Sequence, residues 1–196
     1  MRVIVSTVPS RKDWVTYLAS HIPELEAVED THQRGGWRNF AACLEHAGDD
    51  GYLHLEDDVT LTVDFLTKVG EAIPDPRIPV NFFSLIDFPK PQMRNARSFM
   101  MTQAWWCPPG HARRLLAFLP MWQVHGRKGW VNNGRKHGVL AMVDFWGNNR
   151  LNYWQAVPSL VQHRPSGSIL GHPGGRLSPT FVDPELINHP HPELFT

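Results

Sequence analysis

Apolar residues along the chain switch between a strand-like and a helix-like spacing, and the switches mark out strands alternating with helices. Val3 to Val8 is a nearly continuous β-branched run that ends at Pro9-Ser10, the pattern of a buried first strand. Ser10 followed by Asp13 resembles a capping box and starts a helix from Arg11 to Ser20, which Pro23 closes. Leu25 to Val28 reads as a short second strand running into Glu29-Asp30, and Gly35-Gly36 as a turn. From there Trp37, Phe40, Ala41, Leu44 and Ala47 follow helical spacing, until Gly48-Asp49-Asp50-Gly51 ends the helix. The next strand, Tyr52 to Leu55, leads straight into Glu56-Asp57-Asp58.

Beyond these acids the pattern is looser. Phe65 to Ile73 predicts a helix closed by Pro74, Val80 to Ile86 a strand, and Asp87 to Arg97 a loop rich in Pro, Lys and Arg. Ser98 to Trp106 reads as a strand, and Pro108-Pro109 opens a helix that reaches Leu119. Gln123 to His137 is Gly-rich and basic, a mobile loop on this reading. Val139 to Phe145 is apolar around Asp144, and Tyr153 to Val161 is the last strand, followed by Gln162-His163. Residues 164–196 are dense in Pro, Gly and His without periodicity, an irregular tail packed on the domain.

Strands alternating with helices predict a single-domain α/β fold, with a mostly parallel, doubly wound central sheet flanked by helices. Ligands of such sheets bind beyond the carboxyl ends of the strands. Thr7 to Ser10, Asp30 and Glu56 to Asp58 would all lie along that edge.

Composition narrows the partners. The 196 residues suit one domain, and 19 basic residues balance 19 acidic ones, so no global field points to nucleic acid or a membrane surface. With Cys43 and Cys107 alone there is no disulfide framework. No apolar run approaches the roughly 20 residues of a bilayer span, and Val3 to Val5 is too short for a signal peptide core. A cytoplasmic protein without a membrane span is the expectation.

Three adjacent carboxylates after a buried strand repel one another unless a cation or a set of donors offsets the charge. In an extended chain Glu56 and Asp58 would share one face, with Asp57 on the other. The stretch Leu53-His54-Leu55-Glu56-Asp57-Asp58-Val59 resembles the D-x-D motif of nucleotide-sugar glycosyltransferases of the GT-A fold, with Glu56 in place of the first Asp. Order along the chain adds to the resemblance. Thr7-Val8-Pro9-Ser10-Arg11 stands at the end of the first strand, Gly36-Trp37-Arg38-Asn39-Phe40 opens a helix ahead of the acids, and Pro158-Ser159-Leu160-Val161-Gln162-His163 closes the core.

The resemblance implies a Rossmann-like GT-A domain over residues 1–163, with a donor half over about 1–64 and an acceptor half over about 65–163. It implies a metal-dependent, inverting transfer from a nucleoside-diphosphate sugar, most often UDP-linked, to an acceptor hydroxyl. Asp58 and His163 would hold Mn²⁺ or Mg²⁺, and Asp144 would be the base. Thr7, Pro9, Ser10, Arg11, Asp30, Trp37, Asn39, Glu56 and Asp57 would contact the donor. The basic, Trp-containing stretch from Arg94 to Lys136 suggests a glycan acceptor or a hydroxymethylated base in DNA. Two other classes accommodate the same residues: a metal-dependent hydrolase or nuclease drawing on His54, and a non-catalytic carbohydrate or nucleic-acid binding module.

Overall fold

A computed structural model of the chain describes residues 1–32, 34–99, 102–125, 138–164 and 177–181. β1 (Arg2–Thr7) is the central strand of the first half, and its Val3, Ile4 and Val5 are fully enclosed. It pairs in parallel with β2 (Leu25–Glu29) on one side and β3 (Tyr52–Glu56) on the other. Strands buried on both faces read as continuous apolar runs, which explains the unbroken Val3-Ile4-Val5.

The crossovers are helical. α1 (Lys12–His21) joins β1 to β2, and α2 (Gly36–Ala47) joins β2 to β3. Leu18 and Ile22 pack with Val3, Val5, Leu53 and Leu55 in one apolar cluster. Phe40, Cys43, Leu44 and Ala47 pack with Ile4 and Tyr52 in another. Alternate residues of β1 and β3 therefore meet different helices, so the sheet is covered on both faces as a doubly wound arrangement requires.

The second half departs from the parallel expectation. β5 (Val80–Asn81), β6 (Gln92–Asn95), β7 (Ala104–Cys107) and β8 (Asn152–Gln155) extend the sheet to the order β2-β1-β3-β7-β5-β8-β6. β5 and β8 are parallel, whereas β7 runs against β3 and β5, and β6 against β8. The sheet is thus mixed, with β1, β2, β3, β5 and β8 pointing one way and β6 and β7 the other. Between Asn81 and Ala104 the described residues hold an edge strand and a 3₁₀ turn (Ala96–Ser98) but no crossover α-helix, and a parallel return needs one.

Other boundaries shift for local reasons. Ser10 does not cap α1: a 3₁₀ turn over Pro9–Arg11 comes first, and no side chain caps the helix. The expected strand Val80 to Ile86 pairs only through Asn81, and β6 lies inside the expected loop, its burial alternating along a sheet edge. α3 (Phe65–Ala72) matches its expectation, whereas α4 (His111–His125) continues past Pro120. The apolar segment around Asp144 is α5 (Gly138–Asn148), and residues 126–137 of the expected mobile loop lie outside the described residues.

The single last strand expected from Tyr153 to Val161 is divided. β8 stays in the main sheet, and β9 (Val161–His163) forms a separate antiparallel pair with β4 (Val59–Leu61), His163 lying opposite Val59. Pro158, between them, has no N–H to give to a ladder. Of the tail, Leu177 to Phe181 is described: Ser178 and Thr180 are buried. The Ser178 hydroxyl donates to Ser159 Oγ at 2.7 Å, and its N–H donates to Gln162 Oε1 at 2.8 Å. No helix among the described residues is long and apolar enough to cross a membrane.

Gly51, at the entry to β3, has no room for a side chain: a Cβ there would stand 2.8 Å from the Trp106 ring and 2.9 Å from Pro109 Cδ. Gly51→Ala should therefore destabilise the fold by about 1–3 kcal/mol in urea titration, since crowding a packed core costs that much. Gly70→Ala, on the exposed face of α3 with open space around it, should instead be neutral or stabilising by about 0.5–1 kcal/mol.

Candidate functional site

Parallel pairing of β1 with both neighbours sets Thr7 opposite Glu29 and Ser6 opposite Glu56, so the carboxyl ends of three strands meet. Backbone bonds lock that edge: Asp57 N–H donates to Ser6 O at 3.2 Å and Asp30 N–H to Thr7 O at 2.9 Å. After Glu56 the chain turns into β4, and the turn changes which acids converge. Asp57 and Asp58, not Glu56 and Asp58, meet the same group. Alternation of faces holds only while the backbone is extended, and it ends at Glu56.

The group they meet is Arg11. Its Nη1 lies 2.5 Å from Asp57 Oδ1 and 2.8 Å from Asp58 Oδ2. The Thr7 hydroxyl donates to Asp57 Oδ2 at 2.8 Å, and the Thr102 hydroxyl donates to Glu56 Oε1. His163 Nε2 stands 3.4 Å from Asp58 Oδ2, delivered there by the β4–β9 pairing. The next residue, Arg164, donates its backbone N–H to Asp58 O at 2.9 Å. Trp14 lies under both guanidinium groups, 4.6 Å from that of Arg11 and 5.2 Å from that of Arg164, while Tyr17 lies 4.4 Å from the latter.

These contacts divide the charges. Burial and the nearby Asp58 charge push the Glu56 carboxyl up to about 7, against the pull of Thr102 and His163. Burial also raises Asp57 above its usual range despite Arg11 and Thr7. Burial acts on Asp58 in the same sense, but the hydrogen bond and charge of His163, with Arg11, hold its carboxyl below the usual range. Burial depresses Arg164, whereas for Arg11 the two aspartates outweigh burial and raise it.

Asp58 and His163 are the residues that suit a cation. Both are buried, their facing atoms stand at a separation one ion can bridge, and Asp58 Oδ1 has no hydrogen-bond partner. Among the described residues no cluster of three or more ligand side chains exists. A carboxylate and an imidazole would therefore form a partial shell, of the kind that Mg²⁺ or Mn²⁺ completes with substrate phosphate oxygens and water.

Other expected residues have different tasks. Asp30 accepts the backbone N–H groups of Arg34 at 3.0 Å and Gly35 at 2.8 Å, which keeps its carboxyl low against the effect of burial. It therefore shapes the entry to α2, where Gly35 takes a φ of 95°. Asn39 Nδ2 ties α2 to β1 through Ser6 Oγ and Thr7 O, both at 2.9 Å. Trp37 packs partly buried against the α2-side cluster, whereas Pro9 and Ser10 are exposed beside Arg11. Asp144 is half-buried in α5, a different element from the acid edge.

His54 is withdrawn from ligand chemistry. It is buried against Phe40, Tyr52 and Trp105, and burial lowers its pKa to about 3. Trp105 and Trp146 are core residues too. The site also includes Thr102, Arg164, Trp14 and Tyr17, which the sequence reading passes over. Only Arg164 carries a signal, its adjacency to His163.

No family model matches the chain, and no curated protein matches it. Among solved structures, the crystal structure of A197 from STIV is similar at 11% identity with a TM-score of 0.48, over 84% of this chain and 85% of that one.

Two outcomes follow from the charge arrangement. Arg11→Gln leaves adjacent buried carboxylates without their cation, so it should cost about 2–4 kcal/mol at pH 7. The loss should shrink towards pH 4 in denaturation curves, as the acids take up protons. Glu56, whose folded pKa lies above its unfolded value, favours folding at low pH and loses that contribution as pH rises through about 7. Glu56→Gln should therefore gain stability relative to the natural chain between pH 5 and pH 8, read from paired thermal melts.

Proposed function

We propose that the protein is a metal-dependent glycosyltransferase that moves a sugar from a nucleoside diphosphate, UDP by resemblance, to an acceptor hydroxyl. The observation that carries this reading is the Asp58–His163 pair, 3.4 Å apart at the carboxyl edge of the sheet and flanked by Arg11. Two ligands are too few for a resident all-protein cage but suit an ion that arrives with a diphosphate. When bound, the cation supplies neutralisation of the departing diphosphate charge.

The chain's own groups account for the rest. Arg11, held by Asp57 and Asp58 and stacked on Trp14, adds positive charge where the leaving group's negative charge would develop. Exposed Pro9 and Ser10 offer the turn after β1 to the nucleotide. Glu56, with its pKa near 7, shares the edge as a group able to give or accept a hydrogen bond to a sugar hydroxyl. Asp144 takes the acceptor proton as the acceptor oxygen bonds the anomeric carbon and the bond to the diphosphate oxygen breaks, which gives inversion.

Calorimetric titration with UDP tests the donor side. Binding should require Mn²⁺ and weaken on the order of tenfold or more in Asp58→Asn and in His163→Ala. Equal UDP affinity with and without metal, or no UDP binding at all, would overturn the reading. On the acceptor side, Asp144→Asn should lower kcat by about 100-fold or more while leaving UDP affinity unchanged.

A further inference from the structure

His163 is carried to Asp58 by β9, a short element with little support of its own. It pairs with β4 over three residues in a sheet of only two strands, a unit that is marginal in water unless something packs against it. Two backbone bonds flank the ladder: Thr62 N–H donates to Leu160 O at 3.0 Å, and Arg164 N–H to Asp58 O at 2.9 Å. The second lies directly beside the His163–Asp58 pair.

The tail supplies further support. Alternation along β9 sets Gln162 on the face opposite Val161 and His163. There the Gln162 amide pairs with the Ser178 peptide, 16 residues further along the chain: its Oε1 accepts the Ser178 N–H at 2.8 Å, and its Nε2 donates to Ser178 O at 3.4 Å. A side chain thereby takes the place of a neighbouring strand. Just upstream of β9, Ser159 N–H donates to Thr180 Oγ1 at 3.1 Å, and Ser159 Oγ accepts the Ser178 hydroxyl at 2.7 Å and the Ser84 N–H at 3.0 Å.

Ser159, Ser178 and Thr180 are buried, whereas Leu177 is 50% exposed and Phe181 lies outside both apolar clusters. Hydrogen bonds rather than apolar burial therefore hold the segment. Losing one partner leaves a buried donor or acceptor unsatisfied, so the arrangement is sensitive to single groups. β1, β2, β3 and β7 pair without it. Its release would free the imidazole while Arg11 keeps Asp57 and Asp58.

We infer that Leu177–Phe181 is a polar clasp that fixes β9 and thereby holds His163 against Asp58, with Gln162 and Thr180 as positioning residues for the cation pair. The clasp stands on the hydrogen bonds alone; its role in cation binding rests on the glycosyl-transfer reading. Amide hydrogen exchange of the full chain, without UDP or metal, tests the first part. Gln162→Met and Thr180→Val remove clasp bonds at nearly constant volume, and each should speed exchange of the Arg164 N–H by about tenfold. The β1 and β3 amides should keep their rates, and Thr180→Ser should behave as the natural chain. Unchanged Arg164 exchange in both Gln162→Met and Thr180→Val would overturn the clasp.

Calorimetric titration with UDP in the presence of Mn²⁺ tests the second part. Both variants should weaken UDP binding by about tenfold, in line with the loss expected for a group that orients a metal ligand. In a His163→Ala background Gln162→Met should cost nothing further, because its effect passes through the imidazole. Unchanged affinity in the two single variants, or an equal loss with and without His163, would overturn the positioning role. If the natural chain does not bind UDP with Mn²⁺, the transfer reading falls and the clasp is decided by the Arg164 exchange.

Discussion

The single Arg11 guanidinium between Asp57 and Asp58 is the interaction on which the acid edge depends. Two buried carboxylates on adjacent residues repel strongly in a weakly polar surrounding, and the turn from β3 to β4 cannot close with both ionised unless a cation lies between them. Arg11 is available because it ends the 3₁₀ turn directly after β1, and β1 pairs with β3 in a register that sets Ser6 beside Glu56. Charge compensation is thus built from sheet pairing. The same compensation holds the start of α1 against the edge, since Trp14 lies under the guanidinium.

The protonation pattern extends this logic. Asp58, the acid that meets both His163 and Arg11, is held below the usual carboxylate range, while Glu56 sits near 7 because burial and the Asp58 charge oppose its ionisation. Protons and cations therefore compete at this edge: any positive charge that approaches Asp58 also lowers the cost of ionising Glu56.

Much of the first half was legible in the sequence, because its elements are long, periodic and contiguous. Val3 to Val5, the Leu44 face of α2 and the acids after Leu55 all occupy the places their spacing predicts. The convergence of Asp57 with Asp58 was not legible, because it follows from a turn whose geometry the alternation rule ignores. Nor was β6, whose polar residues pair only at an edge and carry no apolar signal. His163 entered through a resemblance in chain order; the physical reason it reaches Asp58 is the β4–β9 ladder, a pairing between segments remote in sequence. The family resemblance itself stands on those motifs, and Asp144 keeps its assigned role only through it.

The reversed strand β7 is where fold and site are most closely joined. A parallel β7 would bring its carboxyl end to the acid edge and leave its first residues at the opposite side of the sheet. Running antiparallel, it brings Thr102 and Gln103 to that edge instead, so that the Gln103 carbonyl accepts the Glu56 N–H at 2.9 Å and the Thr102 hydroxyl donates to the Glu56 carboxylate. β5 and β8 point their carboxyl ends the same way as β1 and β3, with the reversed β7 between the two pairs. The departure from parallel order is therefore what completes the hydrogen bonding of Glu56.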